Sequence, residues 1–548
     1  MSLRNRLVLP VVLSTLALLV GCGSSTNNPV APPSGAFTNT DFSGTYTFSV
    51  SGADDNGAFM MAGSLTACGC TAGTISGGTV DYDDPSVIAP ASTVGSGTYN
   101  VTADGRGTAI ISVTVAGTAT QVELAFVLTS SSHGLIIRYD GAGTGSGTID
   151  LQPSVIAESA IVNTPYAFSL SGNFDGASFA TAGAFTLNSL GEVSAGVEDF
   201  NDNGVPNNVS SSPYTITSGS VSVGSGTTPG VATLTSGFGT ITFDVYTVDA
   251  THLKLIESDG IAFLVGDVFT QTSATIPQGN LVFAMAGLDT SGNEFAVGGL
   301  MASDGSSQLT GGSEDINDDG IVDNSTVPAV PFNFSGNFST LGSGRFLINL
   351  TGFAGGTSFA AYPSSGGILM LEVDTGLNVG AGNIGVTSGM ALAQASGATV
   401  SASQGYGLNN SGEDVNNGVE LDEIAQFTTT STGVSGLLDE NDFGIGQAVN
   451  NVGGTYTVNS NGTGSATIGK GLPEIFFYAA DSSTVLFISA DPNGSQASLG
   501  VFEAQTAPGG AASAARPRVL PMFRTMPHSR SAVRHGNDKT RVLPAKQL

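Results

Sequence analysis

A chain of 548 residues is too long for one core, and 40% hydrophobic residues with only 11% charged is not the composition of a disordered chain. The formal net charge is −29, and of 15 Lys and Arg only Arg106, Arg138, Lys254, Arg345 and Lys470 lie between the extreme N-terminus and the last 33 residues. So acidic a body repels phosphate backbones, which excludes nucleic acid as its partner and suits divalent cations or basic surfaces.

The chain opens with "MSLRNRLVLPVVLSTLALLVGC", residues 1–22, where two arginines precede an apolar run from Leu7 to Val20. That run is too short for an ordinary spanning helix and fits a secretory signal. Its end, Leu19-Val20-Gly21-Cys22, resembles the lipobox of bacterial lipoproteins. The resemblance implies lipidation of Cys22, export and anchoring in the cell envelope, with Gly23 in the next position favouring the outer membrane or cell surface. Residues 23–41 are rich in Ser, Asn and Pro and read as a tether.

Four copies of one module follow, expected at 42–153, 163–272, 278–395 and 398–506. Opening strands appear as "GTYTFSVSG", "PYAFSLSG", "NLVFAMAG" and, more weakly, "QGYGLNNSG". Acidic turns follow as "DYDDP", "DFNDNG", "DINDDG" and "DENDFG", starting at Asp81, Asp199, Asp315 and Asp439 and spaced by 118, 116 and 124 residues. Late strands end at Asp140, Asp259, Asp374 and Asp491, and each copy closes near a glutamine: Gln152, Gln271, Gln394 or Gln505. "ADGRG" and "SNGTG" are hairpin signals between alternating segments.

The second copy divides into strands near 165–171, 177–188, 192–199, 212–217, 230–236, 239–248, 252–258 and 262–270. In the first of these, Tyr166, Phe168 and Leu170 share one face, while Ala167, Ser169 and Ser171 share the other. That alternation predicts a buried and a wet side. Eight strands joined by short hairpins form a meander long enough to close, and a body with almost no lysine lacks the usual protection of open sheet edges. The expected fold class is all-β, four tandem up-and-down barrels of about eight antiparallel strands each, with β-sandwiches as the alternative. Size and meander resemble avidin-like or lipocalin-like barrels at the level of fold. The repeat style resembles secreted bacterial repeat lipoproteins of uncharacterised role, which implies no activity.

Candidate chemistry is sparse. Asp315, Asn317 and Asp319, followed by Gly320 and by Asp323 at the ninth position, match the start of a calcium loop. Thr326 occupies the twelfth position, and the other copies carry poorer ligand sets. The turns therefore read as Asx-type turns with Gly in a left-handed conformation, and the third copy alone retains a structural calcium as a candidate cofactor. Cys68 and Cys70 are a candidate local disulfide. His133 and His252 read as surface turn residues, and Arg138, Glu257, Glu372 and Ser489, at one matching position, read as a solvated face. No catalytic constellation appears. Residues 507–548 carry eight Lys and Arg and read as a basic appendage.

The expectation is a lipid-anchored, non-enzymatic structural or adhesive protein, touching the membrane through its anchor and presenting itself to a surface polymer or protein. Barrels that bind small apolar ligands or glycans are the alternative. A surface glycosidase, needing paired carboxylates on one cleft, ranks third.

Overall fold

The computed structural model describes residues 36–206, 213–271, 275–289, 292–322, 331–353, 356–374, 385–468, 474–491 and 494–508. The signal segment with Cys22, most of the tether, Asp323, Lys470 and the basic tail lie outside the described residues. The architecture is all-β, with four closed eight-stranded antiparallel meanders in chain order.

The first barrel runs through Ser43–Asp54, Gly57–Cys68, Thr74–Asp84, Val87–Val101, Arg106–Val115, Thr118–Ser130, His133–Asp140 and Gly143–Gln152. Pairing of its first and last strands, as in Phe48 with Ile149, closes it. The fourth barrel, from Gly405–Asp414 to Gln496–Ala504, closes the same way. The third, from Gly279–Leu288 to Val386–Ala393, closes by pairing Leu281 with Ala393. In the second barrel the fourth strand is broken into Tyr214–Thr215 and Ser218–Val221, flanking the bond from the Ile216 N–H to the Gly196 carbonyl. The pair Val197–Thr215 and the bridge Glu192–Ser220 complete its circuit.

Strand periodicity fills the interiors. Tyr46, Phe48 and Val50 line the first barrel, and Tyr166, Phe168 and Leu170 line the second. Apolar residues from the segments before each first strand pack into these cores: Phe42, Ile161, Ile276 and Val400. The interiors are solid as a result. An internal void of the second barrel, lined by Phe168, Glu198 and Phe243 among others, measures about 10 Å³, room for about one water.

The expected wet side is not wet. Ala167, Ser169 and Ser171 are buried, because outward faces of the barrels pack on one another. Ala167, Ala180 and Ala182 of the second barrel, Val282 and Ala284 of the third, Tyr478 and Ile488 of the fourth and Val127 and Ile137 of the first belong to one continuous apolar cluster. Short outward side chains allow this close approach between neighbouring sheets.

Candidate functional site: the seams between barrels

One docking rule recurs. The opening strands of each barrel lie against the closing strands of the next, from first to second, second to third, third to fourth, and fourth back to first. Such an interface is head-to-tail, and after four copies it closes into a ring.

The acidic turns are the heads of this contact. Period-two alternation puts the first Asp and the residue two places on outside each barrel, while the residues flanking that Asp point inward. Asn201 donates to the carbonyls of Glu372 and Gly385 in the third barrel, at 3.1 and 2.9 Å. Asn317 donates to the carbonyls of Ser489 and Gln496 in the fourth, at 3.0 and 2.8 Å. Asn441 donates to the carbonyls of Arg138 and Gly143 in the first, at 2.9 and 3.0 Å. In the second and third barrels the amide oxygen also accepts the N–H of the turn glycine, Gly204 or Gly320. Gly320 has φ +80°, and a Cβ there would lie 2.6 Å from the Gly494 carbonyl of the fourth barrel, so this turn requires glycine twice over.

The aspartates dock beside them. Asp199 receives Arg345 Nη2 at 2.7 Å and the Tyr362 hydroxyl at 2.5 Å. Asp315 accepts the Tyr478 hydroxyl at 2.7 Å, and Asp439 pairs with Arg106 at 2.8 Å. The first barrel departs from the rule, because Asp83 stands where the others have Asn. Asp83 accepts the Ala89 N–H of its own barrel at 3.2 Å, and Asp81 faces Asp244 and Tyr246 of the second barrel. Burial, reinforced by Asp244, pushes Asp81 up to about 8, and burial pushes Asp83 up to about 7.

The closing glutamine of each barrel reaches the same neighbour as its acidic turn. Gln394 donates to Asn461 and Ala479 carbonyls, and Gln505 donates to those of Asp104 and Leu128. Gln271 reaches the Gly344 carbonyl and Gln152 that of Thr247.

A buried charged chain crosses three barrels. Glu503 of the fourth meets His133 Nε2 at 3.0 Å, and His133 Nδ1 lies 2.7 Å from Asp150 in the first. Lys254 of the second sits 3.4 Å from Asp150 and 3.2 Å from Asp267, which lies 2.6 Å from His252 Nε2. Burial opposes charge on His133, but Glu503 and Asp150 outweigh it and raise its pKa to about 9. For His252 burial wins and lowers the pKa; for Asp267 burial is opposed by Lys254 and His252, which together outweigh it and hold the carboxyl below its usual range.

These positions correct two expectations. His133 and His252 are clamped between neighbours, not displayed on surface turns. Arg138, Glu257, Glu372 and Ser489 are 3%, 0%, 2% and 0% exposed, so their shared position is no solvated face. Arg138 lies over the Phe59 ring and bonds Tyr82, whereas Glu257 accepts the N–H groups of Asp259, Gly260 and Ile261. Glu372 bonds Thr387. Their chemistry varies because each satisfies a different local neighbour.

Asp315 and Asn317 are turned into the fourth barrel, and Asp319 sits in the turn at φ +53°. Asp315 accepts from Tyr478 and Asn317 donates to Ser489 and Gln496, and among the described residues, which leave out Asp323, no group of three or more His, Cys, Asp or Glu could hold a metal. Cys68 and Cys70 form a disulfide at the tip of the second hairpin. Sequence reasoning missed the roles of Lys254, Arg345, Asp150 and Asp267; the scarcity of cations in so acidic a body was the signal, since Arg106, Lys254 and Arg345 each meet a carboxylate of their own or a neighbouring barrel.

No protein-family profile matches the chain, and no curated protein does. Two mutants of transferrin binding protein B from Haemophilus parasuis overlay at TM-scores of 0.17, with 10% and 11% identity, covering 70% of this chain and 85% of theirs. Intact Ap-TbpB, with its N and C lobes, overlays at 0.15, with 10% identity and 68% and 84% coverage. Overlays at such scores carry no statement about arrangement or activity.

Proposed function

We propose that this chain is a non-enzymatic, lipid-anchored envelope protein whose four barrels form one ring that works through its outer surface. The observation that carries the reading is the filling of the barrels, which turns a fold often used as a container into a solid building block. The lipobox ending at Cys22 supplies the anchor, and exposed loops and outer strand faces supply a structural or adhesive surface for a polymer or protein. Glu257 and Glu372 are buried in different barrels and engaged by local partners, Asp259, Gly260 and Ile261 for the one and Thr387 for the other, which supports the non-enzymatic reading. Metabolic labelling with palmitate tests the anchor: the label should enter the wild type and be absent from Cys22→Ser. Protease added to intact cells should remove the barrels if they are displayed outside. A hydrolytic activity lost through one substitution in a barrel would overturn the reading.

A second reading has one observation in its favour. A groove of about 290 Å³ lies between the third and fourth barrels, lined by Pro277, Ile368, Ala391, Leu392 and Ala480 with Asp481 and Thr484 at its rim. Its size and lining suit a small apolar ligand. Binding of an apolar fluorophore that Ala391→Trp abolishes would support it.

A further inference from the structure

The four barrels differ at one interior row. Cross-strand register sets Val50, Met61 and Tyr82 side by side in the first barrel, Leu170, Thr181 and Phe200 in the second, and Met285, Val297 and Ile316 in the third. In the fourth the same row is Asn410, Glu423 and Glu440. All three face inward, because Leu408, Ala425 and Leu438, two places away on the same strands, belong to the apolar core of that barrel. The apolar filling therefore stops at this row. Past it lie two more inward acids, Asp414 and Asp442, the last residues of the first and third strands. Carboxyls taken out of water call for a cation, yet no ion pair among the described residues includes any of these four. Burial pushes Glu423 well above the usual carboxylate range and Asp442 up to about 7, the latter reinforced by Asp414 and Glu440. Uncharged acceptors are left over at the same end. Asn410 Oδ1, Gln496 Oε1 and Ser498 Oγ are buried without a hydrogen-bond partner, as is Glu423 Oε1. Ser498, 2% exposed, shares the inward face of its strand with Phe502.

The first barrel shows what such an end takes. Arg138 points inward there, on the same strand face as the core residue Ile136. Its Nη1 donates to the Tyr82 hydroxyl at 3.1 Å and its Nε lies 3.1 Å from Asp140, while Tyr82 in turn donates to Asp54. Asp54 and Asp84 end the first and third strands of that barrel, as Asp414 and Asp442 do in the fourth. The counterpart of Arg138, however, is Ser489, inward-facing with Phe487. The fourth barrel thus keeps the acids that surround a guanidinium in the first, adds Glu423 and Glu440, and has no guanidinium of its own.

We propose that this end of the fourth barrel binds a guanidinium group supplied from outside the chain, held by Glu423 and Glu440 with the oxygens of Asn410 and Ser498 beside them. A guanidinium carries five N–H donors in one plane and no acceptor, which matches a site made of carboxylates and unfilled acceptors. Half-buried Glu440 and Asp442 lead from solvent to Glu423, which is fully buried. A metal ion fits less well, since among the described residues no group of three or more His, Cys, Asp or Glu could hold one. The test is titration calorimetry of the chain, made without acylation, with arginine methyl ester and with a capped Gly-Arg-Gly peptide. Each is compared with its citrulline counterpart, which keeps the shape and loses the charge. Saturable binding is expected, with the citrulline compounds weaker by about ten-fold or more. Glu423→Gln combined with Glu440→Gln should weaken binding by a similar factor, and Ser489→Arg, which supplies the guanidinium from within, should abolish it. Asp442→Asn, at the half-buried rim, should weaken it less and serves where the buried changes prevent folding. Binding of the peptide identifies an arginine of a partner protein as the source; binding of the ester alone identifies a free small molecule. Equal binding of the citrulline compounds, wild-type binding by the doubly neutralised chain, or no binding at all would each overturn the proposal. It goes beyond the envelope reading and does not rest on the anchor, so failure of palmitate labelling would leave it standing.

Discussion

The seam from the second barrel to the third and the seam from the first to the second are built from matching turns and differ at the docking position, where Asp83 stands in place of Asn201. In the former, Asn201 offers an amide to two carbonyls of the next barrel and Asp199 meets a guanidinium and a phenol. In the latter, Asp83 has no proton to donate when ionised, and Asp81 meets another carboxyl, Asp244. The cation that crosses this seam, Lys254, is held instead by Asp150 and Asp267. An interface can therefore keep its geometry while exchanging a permanent donor for one that depends on protonation.

The largest effect should come from removing the cation of the better-satisfied seam. Arg345→Leu leaves Asp199 buried without its guanidinium and should cost about 3–5 kcal/mol, read from urea unfolding; a loss below about 1 kcal/mol would show the pair to be idle. Asn201→Asp converts the second seam into the chemistry of the first and should cost about 1–3 kcal/mol, while Asp83→Asn should cost little or stabilise. If both changes cost the same, the contrast between the seams is wrong.

The pH dependence sharpens the comparison. A carboxyl raised to about 8 when folded binds its proton more tightly in the native state, so stability falls as pH rises from about 4 through about 8. His133, raised to about 9, contributes stability that is complete below about 6.5 and lost as pH passes 9. Both act in one direction, so the melting midpoint should drop steadily from pH 5 to pH 9, and Asp81→Asn should flatten the lower part of that slope. A midpoint that rises over the range would refute the assignment.

Smaller effects concern the closing glutamines. Gln394→Ala and Gln505→Ala should each cost about 1 kcal/mol globally. Hydrogen exchange near Leu128 should nevertheless accelerate in Gln505→Ala more than exchange near Ala479 does in Gln394→Ala, since only the latter seam is also held by a linker. Smallest of all is the expected effect of a chelator on melting, which is none, because Asp315 and Asn317 are engaged by the fourth barrel. A drop of several degrees would show that a calcium ion is bound.

Much of the fold was legible. In the second copy, the strands read at 177–188 and 252–258 are found at Ala177–Leu187 and His252–Glu257, because alternation and hairpin glycines are local signals. Only the fourth strand differs, broken between Thr215 and Ser218. The landmarks that revealed the repeat, the acidic turns and the closing glutamines, were visible as letters but not as contacts. A period of two says that Asp199 and Asn201 share a face, and nothing in it says whether water or another barrel covers that face. Ala167, Ser169 and Ser171 were misread for the same reason: small and weakly polar side chains suit solvent and a tight seam equally well.

By itself, then, the sequence determined four copies, most of their strands and the uneven placement of charge, all consequences of short-range pattern and composition. Tertiary structure alone decided that the copies close into a ring and that Lys254, Arg345 and both histidines are sealed within it. Those depend on the angle at which one curved sheet rests on the next, a sum over many side-chain volumes that no local pattern encodes.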